Sequence, residues 1–176
     1  MKSSFKFFVA PCLLLICLLV GCSDDDAVEK VQEEEFLSAQ IDGEDFRVDR
    51  LVGIVSCKKR LNDYGGINLL IKAESASGEL VEISVSNYLG PRNYIFAPDG
   101  ISKGWMRYGM GIPTGNWLSF AESKQVQTLH PFLQILEDDG NYVKGNFGFR
   151  AHNPIDNSVK LVSNGNFNFR MDSELD

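Results

Sequence analysis

Hydrophobic and polar residues alternate along most of the chain after residue 36. The clearest case is the stretch 142–150, where one set of alternate positions is apolar (Val143, Phe147, Phe149) and the other is polar (Lys144, Asn146, Arg150). The same period of two recurs in 37–41, 67–71, 81–86 and 159–170. A strand with one packed face and one wet face has this period, so the pattern predicts roughly eight to ten short antiparallel strands.

Turn-forming residues separate these strands. Asp42-Gly43 and Asp138-Asp139-Gly140-Asn141 each lie between two apolar runs, and Asn153–Asn157 precedes the last one. Such residues favour tight hairpins. The sequence therefore predicts an all-β fold, an antiparallel meander β-barrel, with a two-sheet β-sandwich as the alternative. The segment 120–130 is the exception to this pattern. Within it, Ala121–Gln125 is predicted to form either a short helix or a loop.

One hexapeptide pattern occurs twice. Gly145-Asn146-Phe147-Gly148-Phe149-Arg150 returns as Gly165-Asn166-Phe167-Asn168-Phe169-Arg170. Two copies are too few for a repeat architecture. We expect them to pair as the two strands of one hairpin, with a glycine of each copy on the packed face, where a bend of the sheet leaves no room for a side chain.

The first 21 residues have the features of a secretion signal. Lys2 and Lys6 precede an apolar run, 7–20, that is shorter than the ~20 residues needed to span a bilayer. The run ends in Leu19-Val20-Gly21-Cys22, which resembles the lipobox of bacterial lipoproteins; the alternative is an ordinary signal peptide. The resemblance implies that 1–21 is removed and that Cys22 carries the lipid.

An acidic segment follows the predicted lipid attachment site. Residues 22–35 contain seven acidic residues and one lysine without apolar periodicity, which indicates a flexible tether. Ser23-Asp24-Asp25-Asp26 resembles the export signal of surface-exposed lipoproteins in Bacteroides-type bacteria. We therefore expect an outer-membrane, lipid-anchored protein at the cell surface, with residues 36–176 forming a single β-barrel domain.

Charge and cysteine content exclude several classes of function. Residues 36–176 contain 14 basic and 17 acidic residues, so we expect no nucleic-acid partner. The one basic cluster, Lys58-Lys59-Arg60, is interpreted as part of a solvated turn. Cys57 is the only thiol of the domain and is expected to be a buried strand residue.

No arrangement of residues indicates catalysis or metal binding. His130 and His152 form no ligand spacing, the acids 137–139 lie at a turn, and no Gly-x-Ser-x-Gly elbow occurs. We expect no catalytic residue, no metal and no cofactor. The protein is interpreted as a non-enzyme; a hydrolase with an unrecognised site is the least favoured alternative.

Both ends of the domain resemble one protein family. The opening strand 36–39 with Ile41-Asp42-Gly43, the Gly-x-Phe-x-Phe-x-Ala stretch ending at Ala151, and Asn164-Gly165-x-Phe167 resemble small uncharacterised lipoproteins of Bacteroides-type bacteria. Those proteins are calycin-like, that is, related in shape to lipocalin barrels. The resemblance implies a fold and a location, and it transfers no catalytic residue.

An aromatic segment is the candidate binding site. Residues 104–120 contain both tryptophans, with Trp105, Tyr108 and Trp117 as the candidate ligand-binding residues, because aromatic faces with polar groups recognise sugars and amphipathic molecules. Alternatively, these side chains close one end of the barrel. The resulting hypothesis is a non-enzymatic domain that binds a glycan, a lipid or an envelope protein; the alternative is a structural subunit of an envelope assembly.

Overall fold

A computed structural model describes residues 33–96, 103–111, 115–120 and 131–172. Within these ranges the chain is all-β, without a helix, and forms eleven strands. The strands are β1 (Phe36–Ile41), β2 (Glu44–Asp49), β3 (Gly53–Leu61), β4 (Ile67–Ser75), β5 (Glu79–Ser86), β6 (Asn93–Ile95), β7 (Lys103–Met110), β8 (Asn116–Phe120), β9 (Phe132–Asp138), β10 (Tyr142–His152) and β11 (Val159–Arg170).

All eleven strands belong to one antiparallel sheet that nearly closes into a barrel. The order is β2-β1-β11-β10-β8-β7-β5-β4-β3, and β9 pairs with β10 and with β6. Its terminal strands, β2 and β3, lie in contact. The end of β11 helps to join the seam, because the Asp172 amide donates to the Cys57 carbonyl at 2.9 Å and the Cys57 amide donates to the Asp172 carboxylate at 3.2 Å. The predicted antiparallel meander β-barrel is confirmed.

The predicted turns lie where the sequence placed them. Asp42 and Gly43 join β1 to β2 with φ of 53° and 92°, as a two-residue hairpin turn requires. Gly140, with φ of 86°, joins β9 to β10. The basic cluster 58–60 was wrongly assigned to a turn: it lies in β3, where Lys59 is opposite Leu69 of β4. The turn itself follows, closed by a hydrogen bond from the Asn62 amide to the Gly66 carbonyl at 2.8 Å.

The inward faces of the strands form a continuous hydrophobic core. Several of its side chains have no surface accessible to a water-sized probe, so no water-sized void adjoins them; they include Leu37, Cys57, Leu69, Ile71, Ile83, Met106, Val143, Phe147 and Phe169. Each buried Leu, Ile or Phe contributes about 1.5–3 kcal/mol relative to an exposed one. Around these residues the barrel is filled with side chains.

The repeated hexapeptides pair as β10 and β11, which confirms the predicted hairpin. Gly145 is opposite Phe167, and Phe147 is opposite Gly165. A Cβ at Gly145 would lie 2.8 Å from the Phe167 ring, and one at Gly165 would lie 2.6 Å from the Phe147 ring. Each phenylalanine therefore covers the glycine of the other strand, and a side chain at either glycine would displace a core ring.

Candidate functional site

Two parts of the sequence-based prediction lie outside the described residues. These are the predicted lipid attachment site, Cys22, with the signal peptide before it, and the segment 121–130 with His130. Within the described ranges, no helix has the length and apolar character needed to cross a membrane.

Tyr108 and Trp117 lie side by side inside the barrel. Their side chains are 3% and 7% exposed, and the ring centroids are 5.5 Å apart. The Tyr108 hydroxyl donates to the Glu79 carboxylate at 2.8 Å, and Trp117 Nε1 donates to Ser158 Oγ at 2.8 Å. Burial, together with the hydrogen bond to Glu79, raises the pKa of Tyr108. Because both polar groups already have protein partners, this arrangement favours closure of the barrel end near the turns after β4 and β10, which we call the aromatic end.

Trp105 is separated from this pair. It is opposite Ser84 of β5 and Phe120 of β8, and it is half-buried. Since successive side chains of a strand point to opposite faces, Trp105 faces away from Tyr108, three positions later in β7. The structure thus brings two of the three candidate residues together and places the third on the other side of the sheet.

The opposite end of the barrel contains an ion pair that the sequence analysis missed. Lys59 points inward, and its Nζ lies 2.8 and 2.7 Å from the two carboxylate oxygens of Asp138. The Tyr88 hydroxyl donates to the same carboxylate at 2.8 Å, and the Tyr88 ring stacks on Tyr94. We call this the lysine end. The period of two could have revealed it, because Lys59 shares the parity of the buried residues Val55 and Cys57.

Burial and hydrogen bonding act in opposite directions on Asp138. Burial raises the pKa of its carboxyl group, but the hydrogen bonds from Lys59, Tyr88 and the Gly140 amide lower it more, so the pKa lies below its ordinary value. The side chains of Asp138 and Lys59 are only 7% and 18% exposed. The charged groups of Lys59 and Asp138 and the Tyr88 hydroxyl therefore already have hydrogen-bond partners within the protein, which argues against a ligand at this end.

Residues 33–35, which the sequence assigned to the tether, contact the barrel. Glu33 accepts a salt bridge from Lys144 at 2.9 Å, and Glu34 pairs with Arg47. Glu35 is buried and lies 2.8 Å from Arg50 Nε. These contacts hold the chain against β2 and β10 just before β1 begins.

Within the described part of the chain, a cleft on the outer wall is the arrangement most suited to binding. It has a volume of about 510 Å³ and is lined by residues of β9, β10 and β11. Its outward-facing side chains are one aromatic, one leucine, one serine and four amides: Phe132, Leu161, Ser163, Gln134, Asn146, Asn164 and Asn166. No residue of the lining is charged, although 23% of the chain is.

Strand register places three of the amides in one row. Gln134 is opposite Asn146, and Asn146 is opposite Asn166. Neighbouring strands lie about 4.8 Å apart, so the row presents amide groups at nearly regular intervals across three strands. Asn164 is held beside it by a 2.8 Å hydrogen bond from its Nδ2 to Gln40 Oε1.

A bulge and a glycine shape the cleft. Between the pairs Phe147–Gly165 and Phe149–Val162, β11 has one more residue than β10, and Asn164 has a φ of 52°. Such an extra residue bends a strand locally. On β10, a Cβ at Gly148 would lie 2.7 Å from the Phe132 ring, so the ring lies directly on the backbone there. Phe132 remains 41% exposed and forms one wall.

The described residues contain no group of three or more His, Cys, Asp or Glu side chains suited to a metal ion. Cys57 lies in β3 and is buried, as the sequence predicted. This burial and, to a smaller extent, the negative charge of Asp172 raise the pKa of its thiol.

Comparisons with protein-family models, with curated proteins and with solved structures found no match to this chain. The site is therefore interpreted from its own chemistry.

Proposed function

We propose that the chain is a lipoprotein of the outer membrane, anchored through Cys22 and facing the cell surface, and that its barrel is a non-enzymatic binding domain. Its ligand is held on the outer wall, in the cleft of β9, β10 and β11. The calycin-like family resemblance supports the location, and the cleft supports the binding role.

Because the barrel interior is filled with side chains, we expect the ligand to bind on the outer wall. Core side chains such as Ile71, Met106 and Phe169 have no accessible surface, so no ligand fits beside them without displacing the core. The two ends are occupied by the Tyr108–Trp117 pair and the Lys59–Asp138 cluster, whose polar groups already have partners.

The observation that carries the proposal is the composition of the cleft. A volume of about 510 Å³ is within the usual range of small-molecule sites. Amides both donate and accept hydrogen bonds. Together with the exposed Phe132 ring they suit an uncharged ligand with many hydrogen-bonding groups.

A thermal-shift screen tests the binding role. Full-length protein in detergent is heated with neutral oligosaccharides, fatty acids, haem or short peptides. A ligand at a hundred times its Kd stabilises the folded state by about 2.7 kcal/mol, a shift of several degrees. We expect a shift with an uncharged ligand and none in Asn146→Ala/Asn166→Ala. Asn141→Ala, in the exposed turn after β9, is the matched control and keeps the shift. A shift that survives in the double variant would place binding elsewhere.

The anchor is tested separately. We expect Cys22→Ala to give an unprocessed or soluble protein, measured by detergent partitioning, and we expect proteases added to intact cells to cleave the wild-type domain. Unchanged partitioning would contradict the lipid anchor, and full protection would contradict the surface location.

A second function, as a subunit of an envelope assembly, is favoured by one patch. Leu51, Val52 and Ile54 are exposed beside the seam between β2 and β3, and Leu51 is 95% exposed. Contiguous exposed apolar residues mark interaction sites. If this patch holds a partner, Leu51→Lys/Ile54→Lys reduces the size of the complex in native gels of solubilised membranes; an unchanged size argues against it.

A further inference from the structure

We infer that the outer cleft binds a neutral oligosaccharide, with Phe132 stacking on a sugar ring and the row Gln134, Asn146 and Asn166 hydrogen-bonding its hydroxyl groups. This inference rests on the proposed function and adds the chemical class of the ligand.

The absence of charged residues from the lining itself argues against an ionic ligand. A phosphate, a fatty-acid carboxylate or an acidic sugar would lose water at the cleft and find no opposite charge among the lining residues. Removing water from a charged group that gains no partner of opposite charge costs free energy. Two basic side chains border the cleft on the outward face of β10. Lys144 is already paired with Glu33 and Glu137, both at 2.9 Å, and Arg150 is opposite Leu161 at the edge of the lining.

The amide row matches the hydrogen-bonding character of sugar hydroxyls. A hydroxyl donates one hydrogen bond and accepts others, and a primary amide does both at adjacent atoms. Within the described ranges, neither Gln134 nor Asn146 forms a side-chain hydrogen bond to another residue, and Asn166 forms only a long one, 3.4 Å, to the Asn164 carbonyl. The donors and acceptors of these amides are therefore available to hydroxyl groups of a ligand.

The geometry of Phe132 suits the apolar face of a sugar ring. One side of the phenyl ring lies on the backbone at Gly148, and the ring is still 41% exposed. A ring held on one side has little freedom to lose when a ligand covers the other. The neighbouring amides follow at the ~4.8 Å spacing of the strands, which is close to the length of one pyranose unit. A chain of sugars lying across β9, β10 and β11 would thus meet a new amide at each unit.

Calorimetric titration of the full-length protein tests the inference. The probes are neutral hexasaccharides of glucose, mannose, galactose and xylose, an acidic set of oligogalacturonate and sialyllactose, and an uncharged Gly-Ser peptide. We expect at least one neutral hexasaccharide to bind, Phe132→Ala to weaken binding at least tenfold, and Asn146→Ala/Asn166→Ala to abolish it. Asn141→Ala, outside the cleft, keeps the wild-type affinity, and circular dichroism verifies the fold of each variant.

The possible failures separate the two proposals. If only acidic sugars or only the peptide bind, and the cleft variants abolish that binding, the sugar class is wrong while the binding domain stands. If a neutral sugar binds equally to wild type and to both cleft variants, the site is wrong. If no probe of any class binds, the carbohydrate inference is overturned, and the proposed binding function fails as well when the thermal-shift screen is also negative.

Discussion

The two faces of the β10–β11 hairpin are built from the same alternating sequence and have opposite properties. On the inner face, Phe147 and Phe167 each fill the space left by a glycine, and no water reaches Phe147. On the outer face, Asn146 and Asn166 stand opposite each other with their hydrogen-bonding capacity largely unused. The inner face therefore determines whether the barrel forms, and the outer face is free to vary in what it binds.

The largest effect is expected from the inner face. Phe167→Ala removes a buried ring whose partner, Gly145, has no side chain with which to fill the space. Replacing a buried phenylalanine by alanine costs about 3–5 kcal/mol, and this glycine places the variant at the upper end. Denaturation with urea measures the loss. A loss below about 1 kcal/mol would contradict the interlocked arrangement of glycines and phenylalanines.

The lysine end should be nearly as sensitive. Lys59→Met leaves the Asp138 carboxylate buried without its cation, and breaking a buried ion pair from one side costs about 3–5 kcal/mol. Because the Lys59 side chain is still 18% exposed, we expect a loss of stability near the lower limit of this range. Urea denaturation at pH 7 measures it, and Lys58→Met, at the neighbouring strand position that points outward, is the control with a smaller loss.

Lys59→Met should also change how the stability of the fold depends on pH. In the wild type the pKa of Asp138 is below its ordinary value, so its contribution to stability is present above about pH 4 and is lost as the pH falls through the folded-state pKa. Without Lys59, the burial that raises this pKa is less opposed, so the folded-state pKa of Asp138 moves up towards its unfolded-state value. The variant should therefore lose less stability than the wild type as the pH falls, and the difference between the two proteins should shrink in acid. Equal acid profiles for the two proteins would argue that Lys59 does not determine the ionisation of Asp138.

The aromatic end gives an intermediate effect. Trp117→Phe keeps an aromatic ring beside Tyr108 but removes the donor to Ser158 Oγ. The net contribution of one such hydrogen bond is about 0.5–1.5 kcal/mol. Thermal unfolding in the presence and absence of the sugar measures it; we expect lower stability with unchanged sugar affinity. A lost affinity would instead favour the sequence-based hypothesis that Trp117 contacts the ligand.

The smallest effect on stability is expected from the outer face. Asn146→Ala/Asn166→Ala removes two half-buried amides that hold little of the structure together, and surface changes of this kind usually alter the free energy of unfolding by less than about 0.5 kcal/mol. Urea denaturation without ligand measures it. A loss above 1.5 kcal/mol would show that the amide row is structural, and the contrast between the two faces would disappear.

The fold was predictable because its signals are local. The period of two and the Asp-Gly turns lie within a few residues of each other, and the repeated hexapeptides indicated the β10–β11 pair directly. Parity along β7 could also have separated Trp105 from Tyr108, since an odd and an even position of one strand face opposite sides. The aromatic composition of the segment outweighed that signal.

The cleft could not be predicted from the sequence. Gln134, Asn146 and Asn166 become neighbours only through the register of three strands, and the extra residue at Asn164 shifts that register within β11. No local pattern specifies where a bulge will form. Lys59 was misplaced for a different reason: a run of three basic residues suggests solvent, whereas its partner, Asp138, lies 79 positions away.

The reciprocal glycine–phenylalanine pairs also constrain how this barrel can diverge. A Cβ at either glycine meets the opposing ring at less than 3 Å. It also meets a backbone carbonyl oxygen, that of Gln134 for Gly145 and that of Phe147, at 2.6 Å, for Gly165, so a smaller ring alone does not make room for it. A double substitution such as Gly165→Ala/Phe147→Leu should therefore remain less stable than Phe147→Leu alone. Across evolutionary time, the two glycines should stay fixed while the amides a few ångströms away change one by one.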